Sequence, residues 1–145
     1  MAGGRQVTAA LGEVFDYSVG QTTTGTGGND MASTQEVFDH HVQGFVARDV
    51  SMILEDFEET SIVIANGETF KGLAAVQDFF TRLFGELPKD CSFELTECIV
   101  LDKSVYIVWN AESETVVYDF ATDTFVIEEG KIVLQTVGFV KREKA

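Results

Sequence analysis

The chain is poor in the residues that staple small folds or mark familiar sites. It has two cysteines in 145 residues, Cys91 and Cys98. They stand seven apart in a segment that reads as a strand, where odd spacing points them to opposite faces and away from a shared disulfide. No CxxC, HExxH, P-loop or GxGxxG occurs, which removes the usual metal, redox and nucleotide signatures, and no cofactor is expected. Basic residues are scarce: 10 Lys and Arg stand against 24 Asp and Glu, a formal charge of −14. Such a surface repels a phosphate backbone, so nucleic acid and anionic membranes are poor partners. No apolar run approaches the roughly 18 residues of a membrane span. The N-terminus also lacks the uninterrupted apolar stretch of a signal peptide. These absences point to a soluble, cytoplasmic protein whose chemistry, if it has any, comes from a pocket.

What is present is enough apolar residue, 45% of the chain, to bury the core of one domain but not two. Residues 1–32 read as a leader. Within it, Val7, Ala10, Leu11, Val14 and Phe15 recur at helical spacing, and the Gly/Thr-rich residues 20–30 have the composition of a flexible linker. Residues 33–145 are then the folded domain. EVFDYSV at residues 13–19 nearly repeats as EVFDHHV at 36–42, five of seven positions being identical; coincidence and duplication are both open.

From Ser33 the pattern sharpens. Ser33 and Glu36 form a capping box ahead of Val37, Phe38, Val42, Phe45 and Val46 on one helical stripe, so a helix is expected over about residues 34–48. Asp49 can cap a short second helix through Val50, Ile53 and Leu54. SIVIANGETF reads as a hairpin around a type I′ turn at Asn66-Gly67. Leu73, Val76, Phe79, Phe80 and Leu83 mark a third helix, stopped by Gly85 and Pro88. Strand signals alone follow, broken by turns at Asp102-Lys103 and Glu129-Gly130, which makes a four-strand meander and an α+β domain.

Polar residues on apolar faces are the candidates for chemistry, because an unpartnered buried polar atom costs about 1–3 kcal/mol. His41 lies four residues from both Val37 and Phe45 on the core side of the first helix, whereas His40 is turned toward its edge. A core histidine bonded to backbone and a proton-handling histidine both fit that position. Adjacent helical histidines diverge and no third ligand is apparent, so no metal is expected. Asp123 shares a strand face with Ala121, Phe125 and Ile127. There its carboxyl pKa should rise and suit acid–base work, unless a bulge turns it to solvent. Gln135 lies between Val133 and Val137 on a face that continues to Phe139; it either orients a ligand carbonyl or faces water. Glu97, between Leu95 and Ile99, is a weaker candidate.

The element order, residues 121–135 (ATDTFVIEEGKIVLQ) and the interhelical turn at 47–57 (ARDVSMILEDF) resemble the nuclear transport factor 2-like superfamily, in its SnoaL-like and ketosteroid isomerase-like branch. The resemblance covers about residues 34–141. It implies a cone: a curved antiparallel sheet wrapped around the long N-terminal helix, with two further helices and a small apolar or carbonyl ligand held in the open end. It also implies that Asp123, in its DTF motif, matches the oxyanion-hole aspartate of the isomerase, with His41 at the position of its tyrosine donor. By the same comparison Tyr106, Val108 and Asn110 face the pocket, where Tyr106, Asn110, Gln135, Val137 and Phe139 would bind the ligand. Val105, Ile107, Trp109, Val116, Tyr118 and Phe120 then fall on the outer face, through which a homodimer forms.

The departure from the isomerase pattern is as informative. Its catalytic base falls at about Ala65, and a methyl group cannot abstract a proton. No serine is placed near both His41 and Asp123 to make a triad. The function expected is small-molecule binding, with a cofactor-independent isomerase, lyase or cyclase acting on a carbonyl compound through His41 and Asp123; the alternative is a non-enzymatic dimerisation or protein-interaction module.

Overall fold

The computed structural model describes residues 32–144. The amphipathic segment, the linker and the first copy of the near-repeat lie outside the described residues. Three helices and six strands follow in the order α1 (Thr34–Ala47), α2 (Val50–Leu54), β1 (Ile62–Ala65), β2 (Glu68–Lys71), α3 (Leu73–Glu86), β3 (Ser92–Leu101), β4 (Ser104–Glu112), β5 (Val116–Glu128) and β6 (Lys131–Glu143). The capping box forms as expected, the Ser33 side chain accepting from the Glu36 N–H while Glu36 accepts from the Ser33 N–H. Helix α1 stops one residue short of the expected end, because Arg48 turns left-handed at φ 56° as its C-cap. Asp49 caps α2 by accepting from the Met52 N–H at 3.1 Å.

Gly44 sets how closely the first two helices approach. A Cβ there would stand 2.8 Å from Ile53 Cγ1, so only a hydrogen lets α2 seat its one buried residue against α1. The β1–β2 turn has both Asn66 (φ 47°) and Gly67 (φ 90°) at positive φ, as a type I′ turn requires.

The strands form one sheet in the order β2-β1-β6-β5-β4-β3. The meander β3 to β6 is antiparallel, but β1 joins it by lying parallel to β6, with Val63 opposite Gln135 and Ala65 opposite Val137. The sheet is therefore mixed rather than wholly antiparallel. The parallel edge carries the hairpin around beside the helices and completes the cone.

Three bulges decide which residues face inward. An irregularity between Leu95 and Glu97 in β3 changes the phase, so Leu95, Cys98 and Val100 are buried and Glu97 is only half-buried. Both cysteines are buried and free, Cys91 just before β3 and Cys98 within it, so the opposite-face placement does not hold. In β5 an extra residue at Asp119–Phe120 puts Tyr118 and Asp123, five residues apart, on the same inner side. A third bulge in β6, between the Ile132 and Leu134 pairings, brings Gln135 and Val137 inward.

Candidate functional site

Helices α1 and α3 lie over the concave face of the sheet and leave a cavity of about 210 Å³ between them. Its wall is largely aromatic. Phe38 and Phe45 come from α1, Phe80 from α3, and Phe93, Trp109 and Phe125 from successive strands. Phe93 stacks on Trp109 at 5.2 Å, and Trp109 packs on Tyr118 at 5.4 Å, so one stripe of rings crosses β3, β4 and β5.

Asp123 is the charged group deepest in that wall, 6% exposed. Its two carboxyl oxygens are held by different strands. Trp109 Nε1 donates to Oδ1 at 2.7 Å from β4, and Gln135 Nε2 donates to Oδ2 at 2.8 Å from β6. The register explains the convergence: Trp109 pairs with Ala121 and Gln135 with Phe125, the inward neighbours of Asp123 on either side. Burial raises the Asp123 pKa to about 6, and the Trp109 and Gln135 hydrogen bonds oppose part of that rise. Gln135 is 2% exposed, and its Oε1 has no hydrogen-bond partner.

His41 lines the same cavity from α1. Three phenylalanine rings meet it edge-on: Phe125 at 5.1 Å, Phe80 at 5.7 Å and Phe57 at 6.2 Å. Its Nδ1 has no partner, which removes the backbone-bonded reading of that atom. Burial, with the neighbouring His40 charge second, pushes the imidazole pKa down to about 3, so the ring is neutral at physiological pH. His40 instead turns away to Asp56, its Nδ1 standing 2.8 and 2.9 Å from the two carboxyl oxygens. No hydrogen bond or ion pair joins His41 to Asp123 among the described residues.

The structure brings His41, Asp123, Gln135, Val137 and Phe139 to one cavity, along with Ala65, where the isomerase pattern would place its base. It does not bring Tyr106 or Asn110 there. Tyr106 is 37% exposed, and Asn110 Nδ2 donates to Glu94 Oε1 on the neighbouring strand. The inner face of β4 is the odd-numbered one, Val105, Ile107, Trp109 and Ala111, all buried. The reason is hydrophobic: the odd series is apolar throughout, whereas the even series contains Tyr106 and Asn110. Trp109 thus belongs to the site and not to the outer face, and so does Tyr118, which the β5 bulge turns inward. Val116 is likewise buried, which leaves Phe120, 52% exposed, as the one residue of the expected outer set that is solvent-facing. Among the described residues no group of three His, Cys, Asp or Glu side chains could hold a metal, and no helix is long and apolar enough to cross a membrane.

Solved structures with this fold include the epoxide hydrolase/cyclase-like enzyme SalBIII of pyran ring formation in the polyether salinomycin. It is 23% identical over 74% of this chain and 90% of its own, with a TM-score of 0.63. A candidate ketosteroid isomerase from Kribbella flavida is 13% identical over 77% of this chain and 81% of its own, with a TM-score of 0.62. A candidate SnoaL-like polyketide cyclase from Shewanella putrefaciens is 10% identical over 76% of this chain and 81% of its own, with a TM-score of 0.60. No curated protein matches the chain. The family model described as the SnoaL-like domain matches residues 38–135, well over half of the sequence, from within α1 to Gln135, the first cavity-lining residue of β6. The chain belongs to the SnoaL-like domain family.

Proposed function

We propose that this protein binds a small apolar carbonyl compound in the cone and transforms it without a cofactor, as an isomerase, lyase or cyclase. The observation that carries this reading is Asp123: a buried carboxyl in an aromatic cavity, fixed by two donors and with its pKa raised to about 6. A group that titrates near the working pH is the most effective general acid or base. As the carboxylate it takes a proton from a carbon next to the carbonyl, and as the acid it returns that proton at another position. His41, held neutral, serves as a hydrogen-bonding group to the developing oxyanion rather than as a base. Gln135 fixes the carboxyl it is bonded to, and Val137 and Phe139 bound the ligand's apolar body. Residues 33–145 carry the function in this reading.

Trp109 is the only tryptophan, so its fluorescence reports directly on the carboxyl that it touches. A carbonyl ligand that binds should change that emission in the parent and in Asp123→Asn alike. Turnover should fall at least about 100-fold in Asp123→Asn, the usual size of a general acid–base contribution. In the parent, kcat/KM should rise with pH through about 6 if the carboxylate is the acting form. Unchanged turnover in Asp123→Asn would remove Asp123 from the chemistry.

A homodimer through the outer sheet face is the second reading, favoured by the exposure of Leu101 (60%), Val140 (59%), Phe120 (52%) and Tyr106 (37%). Phe120 and Val140 are cross-strand partners, so they make one apolar step on that face. Sedimentation at micromolar concentration should give a dimer for the parent and a monomer for Phe120→Glu. A monomeric parent removes this interface. Two free, buried cysteines suit a reducing cytoplasmic location.

A further inference from the structure

On the more exposed part of the cavity wall, beyond Trp109 from Asp123, three side chains meet that the proposed chemistry does not use. Glu86 is the last residue of α3, and its carboxylate accepts from the Tyr118 hydroxyl of β5 and from Lys141 Nζ of β6, the latter at 3.0 and 3.3 Å. All three line the cavity. Tyr118 is 3% exposed, and burial together with the Glu86 bond and charge keeps its phenol protonated as a donor. The Lys141 ammonium lies over the faces of Tyr118 at 5.7 Å and Phe139 at 5.9 Å, so it is anchored by rings as well as by charge. Glu86 is the least settled member. Its side chain is 40% exposed, it stands at the negative end of the α3 dipole, and no basic residue in the last turn offsets that repulsion.

We propose that the Tyr118 hydroxyl and the Lys141 ammonium form a carboxylate-binding subsite at the cavity mouth, which Glu86 fills as an internal stand-in and which an acidic group of the ligand takes over. The proposal rests on the small-molecule reading of the cavity and narrows it to keto acids: an apolar body with a carbonyl toward Asp123 and a carboxylate at the mouth. One ammonium and one phenol match a single carboxylate, as Glu86 demonstrates in place; a phosphate dianion would leave charge uncompensated in a protein of formal charge −14. The exchange conserves hydrogen bonds, since the incoming carboxylate accepts the same two donors while Glu86 swings into water and away from the helix end. Affinity then comes from the apolar body, and selectivity comes from which group can displace Glu86. Arg82 also lines the mouth, but it is 3.6 Å from Glu68 and 3.7 Å from Asp78, so it is already neutralised by two carboxylates.

The test uses Trp109 fluorescence with benzoylpropionate and benzoylvalerate, each beside its methyl ester, on the full-length chain. In Glu86→Ala, where no internal carboxylate has to be displaced, the acids should bind about tenfold or more tighter than the esters, the scale of one charge-assisted pair. Tyr118→Phe or Lys141→Met added to Glu86→Ala, each confirmed folded by circular dichroism, should lose the preference while keeping ester binding. Glu86→Ala should bind the acids more tightly than the parent does, because the internal competitor is gone; a purely structural Glu86 would lower the thermal midpoint and leave acid affinity unchanged or weaker. Ester and acid binding of equal strength in Glu86→Ala overturns the subsite alone. Failure of every acid and ester to bind overturns both the subsite and the small-molecule reading beneath it.

Discussion

Phe125→Ala should lower the stability of the protein by about 3–5 kcal/mol, the range for truncating a fully buried phenylalanine. Phe125 is 0% exposed and lies at the junction of α1 and the sheet, 5.3 Å from Phe38 and 5.1 Å from His41. It is also the inward residue next to Asp123 on β5, opposite Val105 on one flank and Gln135 on the other. The void left by the ring would open onto the existing cavity, so neighbouring residues have little reason to collapse into it. With a total stability typically of about 5–15 kcal/mol, such a loss brings the protein close to unfolding at ambient temperature. Urea denaturation should show a lower midpoint at an unchanged slope. Phe125→Leu, which keeps most of the volume, should cost about 1.5 kcal/mol or less. A loss below about 1 kcal/mol for the alanine variant would show that α1 is not seated on this ring.

The fold was legible because its determinants are local. The Ser33 capping box, the Asn66-Gly67 turn and the three-and-four spacing of Leu73 to Leu83 each specify an element from a handful of residues. The parallel β1–β6 pairing was not legible, since nothing in either strand's own sequence marks a partner some seventy positions away. The site was legible where alternation ran unbroken around Asp123, and it failed where a bulge shifted phase. Counting by twos from Phe120 puts Tyr118 outside, but the extra residue at Asp119–Phe120 puts it in the cavity. The misplacement of Trp109 had a different origin. Here the strand's own pattern, apolar at every odd position from Val105 to Ala111, pointed inward, and the family comparison pointed the other way. The partners of Asp123 followed from that error, for a carboxyl can be read from sequence while its two donors come from strands whose register only the folded sheet defines.

The two buried titratable groups of the cavity should give opposite pH signatures, and substituting each should expose the other. His41 has its pKa lowered from 6.5 to about 3, so between those values the unfolded chain binds the proton that the folded one refuses. Its contribution is fully present above pH 6.5 and is lost on acidification, on the order of 5 kcal/mol by pH 3. Asp123 has its pKa raised from 3.8 to about 6, so there the folded protein binds the proton and the unfolded one does not. Its contribution is fully present below pH 3.8 and is lost as pH rises through 6, on the order of 3 kcal/mol. Between pH 4 and 6 the two slopes largely cancel in the parent. Asp123→Asn removes one of them, so its stability relative to the parent should fall as the pH is lowered from 7 to 4. His41→Phe keeps an aromatic ring against Phe57, Phe80 and Phe125 but cannot take a proton, so its stability relative to the parent should rise over the same interval. Urea midpoints of the three proteins at pH 7, 5.5 and 4 measure both differences, and using differences cancels the many surface carboxylates they share. If the His41→Phe gap stays flat, His41 accepts its proton without cost in the folded state, which requires the Asp123 carboxylate to pay for that charge across the cavity. The two residues would then titrate together, and His41 would become a candidate base rather than a neutral hydrogen-bonding group.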